Sequence, residues 1–304
     1  MRALAAVVLA AVAATTAAAD TTTPFTVGAL RRDGLIFPFA AFDGKHWSAP
    51  WPLPQLDRPI PINLSSIPKR WWGKAGLRET WQAWVSGAAQ TIQVRQPDAA
   101  RVQCTRQIGL RTDYRPAELP PPPDVQPYPK DGLAVSPPQP LEAIAVLPPG
   151  ATELLPLWTT MRDAFNKAER ETASRFSDPM SEKTREKYDP LIEAAYAYGT
   201  SPRIYYVESA RTYRGFGNQE CAIAFGTGWI VKNGDDYMPL AMTVDILSCD
   251  RYGATYMLPF GVMTLAGHMY WLAQFSGWDH ERFVVIDVKP KDVEAIINVW
   301  GGGC

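Results

Sequence analysis

Residues 222–247 read AIAFGTGWIVKNGDDYMPLAMTVDIL, two runs rich in β-branched and aromatic residues, 222–231 and 238–247, on either side of Asn233-Gly234. Such side chains fit a pleated strand, and Asn-Gly tolerates the positive φ angles of a tight hairpin turn. The stretch therefore predicts an antiparallel hairpin. The same pattern continues on both sides: 204–209, 254–259, 269–275 and 282–288 are further strand runs, and Ser276-Gly277 marks a second sharp turn. Six strands at this spacing predict an antiparallel sandwich or small barrel over residues 201–304.

The N-terminal region, residues 20–115, is also β-rich and is punctuated by turn signals at Asp33-Gly34, Asp43-Gly44, Gly73 and Gly87. Pro50, Pro52, Pro54, Pro59, Pro61 and Pro68 forbid regular helix and predict an extended surface wrap. Residues 116–150 read as a proline-rich linker, with Pro120 to Pro123 consecutive. There the pyrrolidine ring fixes φ and removes the backbone donor. Residues 151–200 change character: Leu154, Trp158, Met161, Phe165, Ala168, Thr172 and Phe176 recur at helical steps. A second helical stretch near Ser181, an Asp189-Pro190 start before 191–198 and Gly199 as a C-cap complete an expected helical hairpin. The fold class is thus mainly β (α+β), with two β regions flanking the linker and the hairpin.

Residues 1–19 read as a signal peptide. Met1-Arg2 supplies a positive start, residues 3–14 an apolar core, and Ala17-Ala18-Ala19 the small residues before cleavage near Ala19. No other apolar run approaches transmembrane length. The chain is expected to be exported to the periplasm or the extracellular space as a soluble product. In that setting Cys104, Cys221, Cys249 and Cys304 are expected to form two disulfides, with Cys249–Cys304 favoured because it ties down a flexible Gly301-Gly302-Gly303 tail. A formal net charge of −1 gives no footprint for nucleic acid.

Chemistry is sparse. None of the three histidines sits in a ligand pattern, no GxSxG or Walker loop occurs, and neither metal nor cofactor is expected. Gly215-Phe216-Gly217-Asn218 and Gly226-Thr227-Gly228 read as turns or bulges. Asp279-His280-Glu281 is the densest ionisable cluster; with His268 it supplies the weak catalytic candidates of an alternative reading, an exported hydrolase with a His/carboxylate site. Adjacent strand residues point to opposite faces, so the three converge only if the turn bends them together. His46 is expected on an exposed turn. The unusual feature is tryptophan: eleven occur, and Trp47, Trp51, Trp71, Trp72, Trp81 and Trp84 crowd together. Two roles compete for these rings, packing into a core and stacking on a ligand. The functional expectation is a non-catalytic binding or structural protein, with Trp47, Trp51, Trp71 and Trp72 as candidate contacts to a glycan or another extracytoplasmic protein.

Overall fold

The computed structural model of the chain describes residues 23–174, 181–185, 187–216 and 219–304, with residues 215, 216, 219 and 220 described by their backbone alone. The signal-peptide reading, Phe176 and Gly217-Asn218 lie outside the described residues.

The N-terminal half is a six-stranded barrel built from β1 (Phe25–Arg31), β2 (Leu35–Phe42), β4 (Thr80–Val85), β5 (Ala88–Val102), β6 (Thr105–Thr112) and β7 (Lys130–Ser136), with β3 (Trp47–Ser48) added beside β2. The order β1-β7-β4-β5-β6-β2 closes because β1 also pairs with β2. Closure leaves no free edge within the six-strand ring. The expected turns at Asp33-Gly34 and Gly87 join β1 to β2 and β4 to β5. Residues 50–68 run mostly without regular structure, as their prolines require, with one short 3-10 turn at Leu64–Ser66.

Residues 116–150 are more than a linker. Irregular chain crosses residues 113–129, but β7 then inserts between β1 and β4, and β8 (Ala145–Val146) joins a second sheet. Lys130–Ser136 contains no proline, so it keeps every backbone donor that a central strand needs.

The C-terminal half contains a five-stranded sheet and a four-stranded one. The first has the order β12-β11-β10-β9-β8, with β9 (Leu191–Tyr198), β10 (Arg203–Phe216), β11 (Gln219–Asn233) and β12 (Asp236–Ser248). The second runs β13 (Tyr256–Leu265), β14 (His268–Ser276), β15 (His280–Lys289) and β16 (Asp292–Gly303) in sequence order. All six expected strand runs are present, and Asn233-Gly234 and Ser276-Gly277 sit at hairpin turns. The helical expectation holds for α1 (Leu154–Ala173) and the single turn α2 (Glu182–Arg185). It fails for 191–198, which is β9. Its sequence, LIEAAYAY, alternates Ala195 and Ala197 toward the core, and it pairs along β10 from Ile204↔Tyr198 to Ala210↔Leu191. Pairing overrode a weak local helix signal.

The layers stack in the order α1, five-stranded sheet, four-stranded sheet, barrel. Leu157, Met161 and Phe165 of α1 pack on Tyr205, Val207, Ala224 and Ile230. Ile204, Tyr206, Trp229 and Val231 on the opposite face of that sheet meet Val262, Trp271, Val284 and Ile286. Leu272, Phe283 and Val285, on the far side of the four-stranded sheet, meet Phe25, Val27, Phe37 and Phe39 of the barrel. A sheet covered on both faces is apolar at nearly every position, which explains the run FVVIDV in β15. Gly226-Thr227-Gly228 is no turn: it lies inside β11, where a Cβ on Gly226 would stand 2.7 Å from the Phe165 ring. The glycine lets the helix approach the sheet.

The disulfides are Cys104–Cys304 and Cys221–Cys249, which corrects the favoured Cys249–Cys304 pair. Ala222 pairs with Ser248 in register, so Cys221 and Cys249 are the next residues out on neighbouring strands. Nor are Gly301-Gly302-Gly303 a flexible tail. They are buried in β16, and the Gly303 amide donates to Thr105 Oγ1 at 3.2 Å beside the barrel. The Cys104–Cys304 disulfide therefore links barrel to sandwich.

Candidate functional site

Four tryptophans of the N-terminal region, Trp51, Trp71, Trp72 and Trp81, fill the barrel, while Trp47 and Trp84 pack between it and the four-stranded sheet. Trp71 and Trp72 lie on a 3-10 segment, Lys69–Ala75, that turns both rings inward, where each meets Trp51 edge to face at 5.4 and 5.2 Å. Trp51 donates its indole hydrogen to the Ile108 carbonyl at 2.9 Å, and Trp81 is buried with them among Ile92, Val94 and Leu110. Trp47 is half-buried against Phe25 and Tyr270. These rings are core. All eleven tryptophans lie among the described residues, and Trp278 alone is exposed, T-stacked on Tyr252 at 4.6 Å.

Period-two alternation separates the Asp279-His280-Glu281 cluster. On β15, Glu281, Phe283, Val285 and Asp287 face the barrel, while His280, Arg282, Val284 and Ile286 face the five-stranded sheet. Glu281 is fully buried, and Lys130 Nζ donates to both its carboxylate oxygens at 2.7 Å and to the Tyr128 carbonyl at 2.9 Å. Burial lowers the Lys130 pKa, and Glu281 opposes that shift. The pair is a clasp between barrel and sandwich. His280 Nδ1 instead lies 2.7 Å from Asp279 Oδ1, and this hydrogen bond holds the Asp279 carboxyl below its usual range.

His268 sits at the opposite end of the same sheet. Its Nδ1 is 3.1 Å from Oδ2 of the buried Asp287, whose Oδ1 has no partner among the described residues. Asp287 was not recognisable from sequence as its partner, since 19 residues separate the two and only the β14/β15 register brings them together. The pair borders a cleft of about 320 Å³ lined by Ile204, Val231, Met269, Val288 and Pro290, with no serine or cysteine. His46 is exposed on its turn, as expected. Among the described residues no three His, Cys, Asp or Glu side chains gather as a metal site.

A second cleft, of about 450 Å³, opens where the two C-terminal sheets part between their edge strands β12 and β16. Its size is that of sites for small organic ligands. The walls follow from strand register. On the five-stranded sheet, Tyr206 pairs with Trp229 and Trp229 with Ala241, while Thr227 pairs with Thr243. On the four-stranded sheet, Phe275 stands opposite Arg282 and Ile286 opposite Ala295. The aromatic floor is continuous: Tyr206 lies 5.1 Å from Trp229 and 6.0 Å from Phe275, and Trp229 meets Trp271 at 4.9 Å.

Two polar atoms of this floor, the Trp271 indole nitrogen and the Tyr206 hydroxyl, are out of place, and of the two residues only Tyr206 lines the cleft. Tyr206 is 2% exposed, yet its hydroxyl makes no hydrogen bond of regular geometry with any described residue, although the Thr227 side chain lies within its reach. The hydroxyl of Thr227 is 3.1 Å from Thr243 Oγ1. Burial pushes the Tyr206 phenol pKa up, so the group stays a protonated donor. An unsatisfied buried hydroxyl costs about 1–3 kcal/mol, and here it borders a cleft. Nothing in the sequence around Tyr206 distinguishes it from its neighbour Tyr205, which faces α1 and bonds Glu153 Oε2 at 3.1 Å. No protein-family model, curated protein or solved structure matches this chain.

Proposed function

We propose that the chain is an exported, non-catalytic binding protein whose ligand site is the cleft between β12 and β16. The observation that carries this reading is the unpartnered Tyr206 hydroxyl on a buried aromatic floor, a donor that a ligand would satisfy. Export is supported by the two disulfides and by the lack, among the described residues, of a helix long and apolar enough to cross a membrane. Burial of Trp51, Trp71 and Trp72 removes them as a stacking platform for a glycan or extracytoplasmic protein; Trp278 with Tyr252 is an exposed aromatic pair left for such a partner. The test is titration of the purified chain with the neutral fluorophore N-phenyl-1-naphthylamine. Ala241→Trp and Ala295→Trp, which fill the cleft from opposite walls, are expected to weaken binding at least about tenfold, or about 1.4 kcal/mol. Trp278→Ala should leave it unchanged. Equal binding by all variants would move the site elsewhere.

The hydrolase alternative has one observation in its favour, the His268–Asp287 dyad at its own cleft. A buried carboxylate orienting a histidine is the arrangement a general base needs. Esterase activity on a chromogenic ester panel, lost in His268→Asn and kept in Ala295→Trp, would favour it. An inactive wild type, in which the histidine has no acyl chemistry to lose, would remove it.

A further inference from the structure

The cleft is polarised, and the polarity follows the strand register. Toward one end stand Trp229, Ala241, Ile286, Val293 and Ala295, all apolar. Toward the other stand Thr227, Thr243, Asn298, His280 and Arg282, with the apolar Phe275 and Val284 opposite Arg282 and Asn298. No carboxylate is among the lining residues. Arg282 carries a permanent charge, yet among the described residues it has no acidic partner within ion-pair distance; its Nη1 donates to the neutral Asn298 Oδ1 at 3.3 Å. The guanidinium stands 5.6 Å over the Trp300 ring, and His280 stacks on the same indole at 5.4 Å with an 11° tilt. Trp300 thus holds Arg282 and the Asp279-bonded His280 at one end of the cleft. Space for this stack is made by glycine: a Cβ on Gly303 would meet both His280 Cβ and the Trp300 ring at 2.7 Å, and one on Gly277 would meet His280 Cε1 at 2.7 Å.

Resting on the reading of this cleft as the ligand site, we infer that its ligand is an anionic amphiphile, an aliphatic carboxylate. The chain lies along Trp229, Ile286 and Ala295, and the carboxylate meets Arg282. An apolar channel alone takes any hydrophobe, but the unpaired arginine at one end favours a negative head over a neutral one and rejects a cation. The Tyr206 hydroxyl adds a donor between the two ends, as expected of a site in which a few polar groups fix orientation.

The test compares ligands of one chain length, decanoate, decan-1-ol and decylammonium, by calorimetry on the purified chain. Decanoate is expected to bind at least about tenfold tighter than decylammonium, with decan-1-ol between them. Arg282→Gln should weaken decanoate about tenfold and leave decan-1-ol unchanged, a split that a merely structural arginine would not produce. Tyr206→Phe should weaken both. Equal binding of all three ligands, lost in Ala295→Trp, would overturn the anionic assignment while leaving the cleft as a site for apolar molecules. Absence of binding by all three ligands and by the neutral fluorophore would overturn the cleft reading itself, and the inference with it.

Discussion

Barrel and sandwich are made of the same material and end differently. Both are antiparallel, and both put tryptophan and tyrosine at their centres: Trp51, Trp71, Trp72 and Trp81 in one, Tyr206, Trp229 and Trp271 in the other. The barrel closes on itself through β1 and β2, so its rings can only touch each other and the strands around them. The sandwich's two sheets stay open at their edges, and where two of those edge strands, β12 and β16, diverge, the aromatic floor meets solvent. Closure turns an aromatic cluster into core, whereas an open edge turns one into a site. Polar satisfaction does not divide the two: Trp51 and Trp81 donate to backbone carbonyls, but the indole nitrogen of Trp84 on β4, like the Tyr206 hydroxyl, has no partner among the described residues; what sets Tyr206 apart is that it borders the cleft.

Four measurements would sharpen or break this contrast. The largest effect is expected from the disulfides. Cys104–Cys304 closes a loop of 200 residues between the two halves, and Cys221–Cys249 one of 28 within a hairpin. Chain entropy assigns these about 5 and about 3.5 kcal/mol. Denaturant unfolding of the two double serine variants should rank them in that order, and the reverse order would mean that barrel and sandwich are held together chiefly by packing and the Lys130–Glu281 clasp. Next, Trp81→Ala should cost about 3–5 kcal/mol by opening a cavity in a closed core, without changing fluorophore affinity in the folded population. A loss of affinity would show that the barrel supports the cleft.

The third concerns pH. Glu208 on β10 is buried and accepts from the Met257 amide at 2.6 Å; burial raises its pKa to about 7. A carboxyl raised in the folded state keeps its proton while the unfolded chain, with an ordinary value near 4.5, has lost it. The native state then binds more protons, so stability falls as pH rises from about 4.5 to about 7 and levels off above. The expected decline is about 3 kcal/mol, read as the difference between wild type and Glu208→Gln in thermal melts across that range. Parallel profiles for the two proteins would contradict it. The smallest effect carries the clearest sign: Tyr206→Phe should stabilise the unliganded chain by about 1 kcal/mol, because it removes a buried donor with no partner. Destabilisation would mean that the hydroxyl has a partner in the free protein, and the cleft would lose its defining feature.

How far these features were legible depends on the range over which each is encoded. The hairpins at Asn233-Gly234 and Ser276-Gly277 follow from dipeptides and flanking alternation, and α1 follows from the spacing of Met161, Phe165 and Ala168. β16 was not expected, because DVEAIINVWGGG begins with charge and ends in glycine; its role appears only where Phe283, Val102 and His280 fill the space a side chain would need. Alternation within β15 already warned that His280 and Glu281 would diverge. It could not say that Lys130, 151 residues away, was waiting for Glu281.

From the sequence alone came the β-dominated class, the position of α1, most hairpin turns and an even set of cysteines. Each rests on local backbone preference or on a residue count, which neighbouring residues suffice to express. Only the tertiary structure decided that Trp51, Trp71, Trp72 and Trp81 plug a closed barrel, that Cys104 meets Cys304, that 191–198 is a strand, and that Tyr206 borders a cleft with Arg282 at one end. These depend on which strands lie side by side across long loops, and that choice is made by burying apolar area over the whole chain.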